Sequence, residues 1–143
     1  MIGGLAVNHW AGEPVATADV AVVVAFERVE EALRSLNESG FNVERYEWSI
    51  NLKGRSMVSV QFAIDPFYSE FPGRAVPADV HGILMRVACL EDTLAGKIRA
   101  WSDSNRRPSK RQKDLTDIVR LIETHPSLKD QLSPDLLKKI NEI

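Results

Sequence analysis

The sequence predicts an α+β protein with a mixed sheet, flanking helices and a helical carboxy-terminal part. The run Val20 to Phe26 is apolar and rich in β-branched residues, which is typical of a buried strand. Apolar and polar side chains alternate from Met57 to Ile64, which indicates a second strand with one face on the core. After Cys89 the apolar residues recur at helical spacing. We therefore expect a core at residues 1–88 and a helical segment at residues 89–143 packed on it.

Composition excludes several classes of protein. The chain has 143 residues, 44% of them hydrophobic and 27% charged, with a net charge of -2. A chain of this kind is the size of one ordinary domain, is not intrinsically disordered and has no overall attraction to nucleic acid. Its single cysteine cannot form an internal disulfide, and no apolar run reaches the length of a membrane span. We expect a cytoplasmic protein that does not associate with membranes.

The amino-terminal part is predicted to form helix, strand and helix in that order. The glycine pair Gly3-Gly4 leads into a short helix over Leu5 to Ala11. Val20 to Ala25 is uniformly apolar, so we place this strand inside the sheet with both faces covered. An amphipathic helix follows and ends at Gly40. Its apolar positions, at i, i+3, i+4 and i+7, are Val29, Ala32, Leu33 and Leu36.

Two hairpins are predicted in the rest of the core. The first joins Phe41–Ile50 to Met57–Ile64 through a loop that contains a glycine. The second joins Val76–Val80 to Ile83–Val87. Between the hairpins, residues 67–74 are expected to form an irregular loop or a short helix over the sheet.

Three helices are predicted after Cys89. Apolar residues from Leu90 to Trp101 form one stripe. Ser109 and Gln112 match a capping box, so the second helix should begin there and end before Pro126. The third should begin at Ser133-Pro134, with the serine as the cap and the proline at the first helical position.

Asp19 is the first candidate for chemistry, because it stands at the start of the apolar strand. Magnesium prefers oxygen ligands and commonly shares one or two carboxylates with substrate phosphates. The preceding Gly3-Gly4 pair allows close approach to a ligand, and free amides at the start of a helix favour an anion. Two residues further along the strand, on the same side, is Ala21, which cannot bind a metal. The alternative is that Asp19 caps the turn before the strand.

A basic cluster is the second candidate. Five of the eight residues from 106 to 113 are basic: Arg106, Arg107, Lys110, Arg111 and Lys113. Lys97 and Arg99 add to them from the preceding helix. Such a cluster in an acidic protein indicates a site for a triphosphate or for the phosphates of a nucleic acid. The alternative is a solvated helix face, which the i, i+4 pairs Lys110 with Asp114 and Lys113 with Asp117 favour.

Four segments, taken in order, resemble the nucleotidyltransferase superfamily: IGGLAVNHW, ATADVAVVV, LEDTLAGKIRAW and RRPSKRQKDLTDIVRLIE. The likeness is greatest to the minimal nucleotidyltransferases and to the abortive-infection nucleotidyltransferase toxins of prokaryotic toxin-antitoxin systems. It spans most of residues 2–124. The resemblance implies the nucleotidyltransferase-like mixed sheet with flanking helices.

The resemblance also implies a set of site residues. In that family a glycine pair begins a helix, a D-x-D strand and a later acid hold two magnesium ions, and a helical region carries a lysine and a K-D-x-x-D-I helix. The reaction is an in-line attack on the α-phosphate of a nucleoside triphosphate, with pyrophosphate leaving. The implied catalytic residues are Asp19 and Lys97, and Asp19 is the implied Mg²⁺ ligand, with Asp65 as a further candidate. The implied nucleotide-binding residues are Gly3, Gly4, Arg106, Arg107, Lys110, Arg111, Lys113, Asp114 and Asp117.

The chain departs from the family pattern in two places. The second acid of D-x-D is Ala21, and the strand expected to supply a third acid offers Gln61, with Asp65 only at its far end. We therefore expect weak or lost activity. Only Met1 and Ile2 precede the glycines, so the family's first strand is nearly absent. Either the true start lies upstream, or a partner protein or second copy covers an open sheet edge.

The sequence is compatible with three functions. The first is a nucleotidyltransferase that binds a magnesium–nucleoside triphosphate complex. The second is a non-catalytic interaction module of a toxin-antitoxin pair, with the degenerate D-x-D motif as its sign. The third is a nucleic-acid-binding domain, with RNA as the possible partner, that uses the cluster from Arg106 to Lys113.

Overall fold

The computed structural model describes residues 1–143 and contains two sheets and six α-helices. The strands are β1 (Asp19–Val22), β2 (Asn42–Arg45), β3 (Ser49–Lys53), β4 (Ser59–Ala63), β5 (Val76–Val80) and β6 (Ile83–Val87). The α-helices are α1 (Gly3–Trp10), α2 (Val29–Glu38), α3 (Phe71–Arg74), α4 (Leu90–Ser102), α5 (Pro108–Thr124) and α6 (Pro134–Asn141). Short 3₁₀ turns lie at Phe26–Arg28, Pro66–Tyr68 and Pro126–Gln131. None of the helices combines the length and the apolar character that crossing a membrane requires.

The main sheet has the strand order β1-β4-β3-β2 and is mixed, as the sequence predicts. β1 runs parallel to β4, while β4, β3 and β2 are antiparallel neighbours. The prediction that the strand from Val20 lies inside the sheet is wrong. β1 is an edge strand with half-exposed side chains, and its outer side pairs only through a single bridge between Ile2 and Ala21.

The prediction of one strand over Phe41–Ile50 is also wrong. The segment contains β2 and the start of β3, joined by a tight turn in which the N–H of Tyr46 donates to the carbonyl of Ser49 at 2.8 Å. β3 continues through residues 51–53, which the sequence placed in a loop. The reason is burial, since Ile50 and Leu52 are 2% and 0% exposed and alternate into the core. The second predicted hairpin is confirmed as β5–β6.

The sheet has an apolar face and a polar face. Leu33 of α2 packs on the apolar face against Ile50, Leu52 and Phe62. Because side chains alternate along a strand, Ser59, Gln61 and Ala63 point to the other face. Because α2 packs on the apolar face, the polar face is left to form one wall of a cleft.

The carboxy-terminal helices form the largest core cluster together with α1. It joins Val7 of α1 to Leu94 of α4 and to α5, the following 3₁₀ turn and α6. Its buried members are Val7, Leu94, Leu115, Ile118, Leu121, Ile122, Leu128, Leu132 and Leu136. The helical segment therefore packs on the first helix of the chain, and this contact sets α4 and α5 beside the sheet.

The helix starts in this segment differ in their caps. α5 does not begin with a capping box at Ser109, because Arg107 is its N-cap residue and no side chain caps it. Pro108 takes the first helical position, where its missing N–H costs nothing. At α6 the prediction is confirmed, since the Ser133 hydroxyl accepts from the N–H of Leu136 at 3.3 Å.

Gly3 begins α1 with a backbone that other residues adopt only under strain. Its φ is +70°, and a Cβ built there would lie 3.2 Å from the Cβ of Ala21. We expect Gly3→Ala to lower the free energy of unfolding by about 1–3 kcal/mol. Urea denaturation measures it, with Gly12→Ala as the control because a Cβ at Gly12 meets nothing within 4 Å. An equal effect of the two substitutions would contradict this account of Gly3.

Candidate functional site

A cleft of about 1290 Å³ separates the polar face of the sheet from α4 and α5. Drug-sized and cofactor sites commonly occupy about 300–1,000 Å³, so a nucleotide has room here. The sheet wall carries Asp19, Ala21 and Gln61. The helix wall carries Gly96, Lys97, Arg106, Lys110, Lys113 and Asp114. The aspartate that leads β1 and the lysine-rich helices therefore face the same space.

The three positions where the resemblance expects acids are neighbours on the sheet wall. Asp19 and Ala21 share one face of β1, and the parallel register places Gln61 opposite Ala21 and Ser59 opposite Asp19. Only Asp19 is a carboxylate. Its Oδ1 accepts from the Ser59 hydroxyl at 2.5 Å, and its Oδ2 lies 3.9 Å from the Lys110 ammonium.

Asp65 follows the end of β4, well beyond the residue that pairs with Asp19. Ser59 is opposite Asp19, and β4 alone carries the chain roughly 13 Å further at about 3.3 Å per residue. Oxygen ligands of one magnesium ion each lie about 2.1 Å from it. Burial opposes the ionisation of Asp65, but hydrogen bonds from the N–H of Phe67 and from Arg99 hold its pKa below the usual value. Asp65 is thus an ion-pair partner of Arg99.

The residues present do not fit a two-magnesium centre. Nowhere in the chain do three or more histidine, cysteine or carboxylate side chains converge at metal-binding distance. On the sheet wall, Asp19 already accepts a hydrogen bond from Ser59. Its neighbours are the methyl group of Ala21 and the neutral amide of Gln61. Magnesium demands near-octahedral oxygen ligands and gives up its water reluctantly, so this donor set is a poor one.

The Gly3-Gly4 pair lies in the cleft wall at the start of α1, beside the sheet. The N–H of Ile2 donates to the carbonyl of Ala21 at 2.9 Å, which fixes the helix start next to the position that lacks the second acid. No side chain caps α1. Unpaired amides at a helix start carry partial positive charge and favour an anion.

Lys97 is buried within a network of charges that connects α4 to α5. Its ammonium lies 3.1 Å from Asp114 Oδ1 and 2.8 Å from Asp117 Oδ2, the latter as an ion pair without hydrogen-bond alignment. Arg106 Nε donates to Asp114 Oδ2 at 2.5 Å, and Arg120 pairs with Asp117 at 2.9 Å. Lys97 and the two aspartates of the K-D-x-x-D-I match, Asp114 and Asp117, therefore compensate one another.

Arg120 is a structural residue that the sequence interpretation missed. Besides Asp117, its guanidinium donates to Asn8 Oδ1 at 2.9 Å and to the carbonyl of Glu13. Asn8 in turn accepts from the N–H of Val15 at 3.0 Å. These bonds attach the loop before β1 to α5. The i, i+3 spacing of Asp117 and Arg120 was the available signal, since such pairs are neighbours on a helix.

The predicted basic cluster divides into two groups. Lys110 and Lys113 line the cleft, together with Arg106, which is paired with Asp114. Arg107 and Arg111 do not line it. Arg111 donates to the carbonyl of Trp101 at 2.9 Å and lies over that indole ring, while Arg107 is exposed at the start of α5. Asp117 is also outside the cleft wall, because it lies beneath Lys97.

The outer edge of β1 forms one β-bridge, between Ile2 and Ala21. The Met1 ammonium donates to the carbonyl of Arg86 at 2.7 Å, and Met1 accepts from the N–H of Ala88 at 2.9 Å. Met1 and Ile2 thus connect the second sheet to β1, and burial lowers the pKa of the Met1 ammonium. Beside them is an apolar cavity of about 190 Å³ lined in part by Val22 and Val23.

Both the sequence and the fold of this chain have relatives among known proteins. The family model "Nucleotidyl transferase AbiEii toxin, Type IV TA system" matches residues 5–142. The lincosamide antibiotic adenylyltransferase LnuA, solved with lincomycin bound, has 11% identity and a TM-score of 0.57 over 83% of this chain and 84% of its own. An antigenic nucleotidyltransferase-like protein from Paracoccidioides brasiliensis has 20% identity and a TM-score of 0.52 over 98% of this chain and 82% of its own.

A comparison with curated protein sequences found no match. The two solved structures, at these identities, show a shared fold. The predicted α+β class and the predicted resemblance to nucleotidyltransferases are confirmed. Because the family match extends over nearly the whole sequence, the chain belongs to the AbiEii nucleotidyl transferase toxin family.

Proposed function

We propose that the cleft binds a nucleoside triphosphate and that the chain does not transfer a nucleotidyl group from it. The observation that carries the proposal is the composition of the sheet wall. Asp19, Ala21 and Gln61 occupy neighbouring positions on two parallel strands, and only one of them is a carboxylate.

Four features support nucleotide binding. The fold is that of nucleotidyltransferases, and the cleft has room for a nucleotide. Lys110 and Lys113 lie in the cleft wall; Lys113 has no ion-pair partner, and Lys110 has only Asp19 at 3.9 Å. The uncapped start of α1, at Gly3-Gly4, lies in the same wall and favours an anion. Phosphate groups are the part of a nucleotide that these features would hold.

The shortage of metal-binding acids supports the absence of nucleotidyl transfer. Two divalent ions in such a reaction stabilise both the attacking and the leaving oxygens of an in-line displacement. The expected magnesium has one carboxylate here, and that carboxylate is already bonded to Ser59. Losing several kcal/mol of stabilisation lowers a rate by roughly 10³-fold or more. The proposed nucleotide binding therefore depends on the lysines and the start of α1, while the proposed lack of transfer depends on the sheet wall.

The test measures both halves with the whole chain. Nucleoside triphosphates labelled at the α-phosphate are incubated with the protein, with RNA as an added acceptor, and covalent label is counted. Saturable binding is followed separately by equilibrium dialysis. We expect binding, and label in RNA or protein no higher than for Asp19→Ala. Label transfer that Asp19→Ala abolishes would overturn the proposal, and so would the absence of any binding.

The other expected partners stay predictions. The toxin-antitoxin family to which the chain belongs suggests a protein partner, and the thinly covered edge of β1 is where an extended partner segment or a second copy would pair. RNA binding has less support than the sequence indicated, because Arg106 and Arg111 are engaged within the protein. The exposed basic residues left for RNA are Arg107 and Lys113, with Lys110 partly exposed.

A further inference from the structure

The Lys110 ammonium lies beside Asp19, where a metal-dependent transferase would hold its cation. We propose that the nucleoside triphosphate binds in this cleft without a divalent metal ion, with Lys110 and Lys113 supplying the positive charge. This inference rests on the proposed function and concerns how that same cleft holds its ligand.

At positions 19, 21 and 61 the sheet wall carries a single negative charge. A wall with three acids needs divalent cations to make it compatible with a polyphosphate. Here Ala21 and Gln61 are neutral, and the single charge of Asp19 is met by Lys110 at 3.9 Å and by the Ser59 hydroxyl at 2.5 Å. These three positions therefore carry one negative charge in place of three, so they repel a polyphosphate less and do not require a divalent ion to offset them.

Most other cations of the cleft are already paired with carboxylates. Arg99 is 2.7 Å from Asp65, Lys97 is 2.8–3.1 Å from two buried aspartates and Arg106 is 2.5 Å from Asp114. Lys110 has only the long contact with Asp19 and its side chain is 43% exposed. Exposed pairs of this kind contribute little and exchange readily for a better partner.

Lys110 and Lys113 are placed to act together. Lys110 and Lys113 are three residues apart on α5, which places them on the same face of the helix, and both line the cleft. Lysine binds phosphate as a point charge on a flexible stem. With the uncapped start of α1 in the same cleft, these groups match several phosphate charges.

A consequence distinguishes this arrangement from a metal-dependent site. Magnesium bound to a triphosphate neutralises charge that the two lysines would otherwise meet. The free nucleotide should therefore bind at least as tightly as its magnesium complex. In a site that holds nucleotide through metal ions and carboxylates, removing magnesium has the opposite effect.

Isothermal titration calorimetry of the full chain with ATP and with GTP tests the inference, once in EDTA and once in excess magnesium chloride. We expect equal or tighter binding in EDTA. Lys110→Met and Lys113→Met should each weaken binding in EDTA by about tenfold or more. Lys138→Met is the matched control, because Lys138 is exposed on α6 away from the cleft, and it should leave the affinity unchanged.

The outcomes separate this inference from the proposed function. Binding that occurs only in magnesium overturns the inference and leaves the proposed function in place. Binding in EDTA that neither lysine substitution weakens also overturns it. The absence of binding under both conditions overturns the proposed function, and the inference with it.

Discussion

Replacing Lys97 with methionine is expected to lower the free energy of unfolding by about 3–5 kcal/mol. The lysine is 8% exposed, and its ammonium lies between Asp114 and Asp117, which are 1% and 2% exposed. Methionine fills a similar volume but leaves both buried carboxylates with one cation each, Arg106 and Arg120. Urea denaturation followed by circular dichroism measures the change.

Lys138→Met serves as the control for Lys97→Met. It makes the same chemical change on an exposed helix face and should alter the free energy of unfolding by less than about 0.5 kcal/mol. If the two substitutions had equally small effects, the buried network would not hold α4 to α5. The resemblance implied a catalytic role for Lys97. Its ion pairs with Asp114 and Asp117 predict in addition that Lys97→Met lowers the free energy of unfolding. This loss is expected whether or not the folded variant still binds nucleotide.

Adding two acids to the sheet wall is expected to create metal dependence. In the double variant Ala21→Asp with Gln61→Asp, three carboxylates would lie on neighbouring positions, on strands about 4.8 Å apart. Ala21 and Gln61 both line the cleft, so the added carboxylates would lie at its surface. We expect magnesium to tighten nucleotide binding by about tenfold or more, because carboxylates crowded together bind a divalent cation to offset their repulsion.

The matched control carries Ala21→Asn and Gln61→Asn, which have nearly the same shape without the charge. Like the unmodified chain, it should bind nucleotide no more tightly in magnesium than in EDTA. If the aspartate variant likewise showed no magnesium dependence while remaining folded, the missing acids would not explain the loss of the metal site.

The elements that the sequence predicts well are those whose signal is local. The apolar spacing of Val29, Ala32, Leu33 and Leu36 predicts α2, and a serine followed by a proline predicts the start of α6. Both features depend on neighbours within one helix. The β5–β6 hairpin is likewise local: His81 and Gly82 both have positive φ, which two-residue hairpin turns favour.

The errors concern the pairing of distant segments. A run such as Val20 to Ala25 shows that a strand is apolar and does not show how many neighbours it has. The contact of Ser59 with Asp19 depends on the register of two strands 40 residues apart. The pairing of Lys97 with two aspartates was likewise not visible in the sequence, because both partners lie on another helix and come close only through packing.

The candidate site was predictable in outline and not in its chemistry. Asp19 and the residues from Lys97 to Lys113 were expected to share a cleft, and the structure brings most of them together. What the sequence could not show is which cations remain free. Arg106 and Arg111 look equivalent to Lys110 in the sequence, yet one pairs with Asp114 and the other lies on Trp101.

The number of metal ions that the sheet wall can hold is measured by titrating Mn²⁺ into the unmodified chain and following free Mn²⁺ by electron paramagnetic resonance. We predict that the wild-type chain and Asp19→Asn leave the same amount of Mn²⁺ free, while the variant with aspartate at positions 21 and 61 removes it from solution. The opposite result would be that the wild-type chain binds Mn²⁺ and Asp19→Asn does not. That result would contradict the proposal that this cleft binds nucleotide without a metal ion.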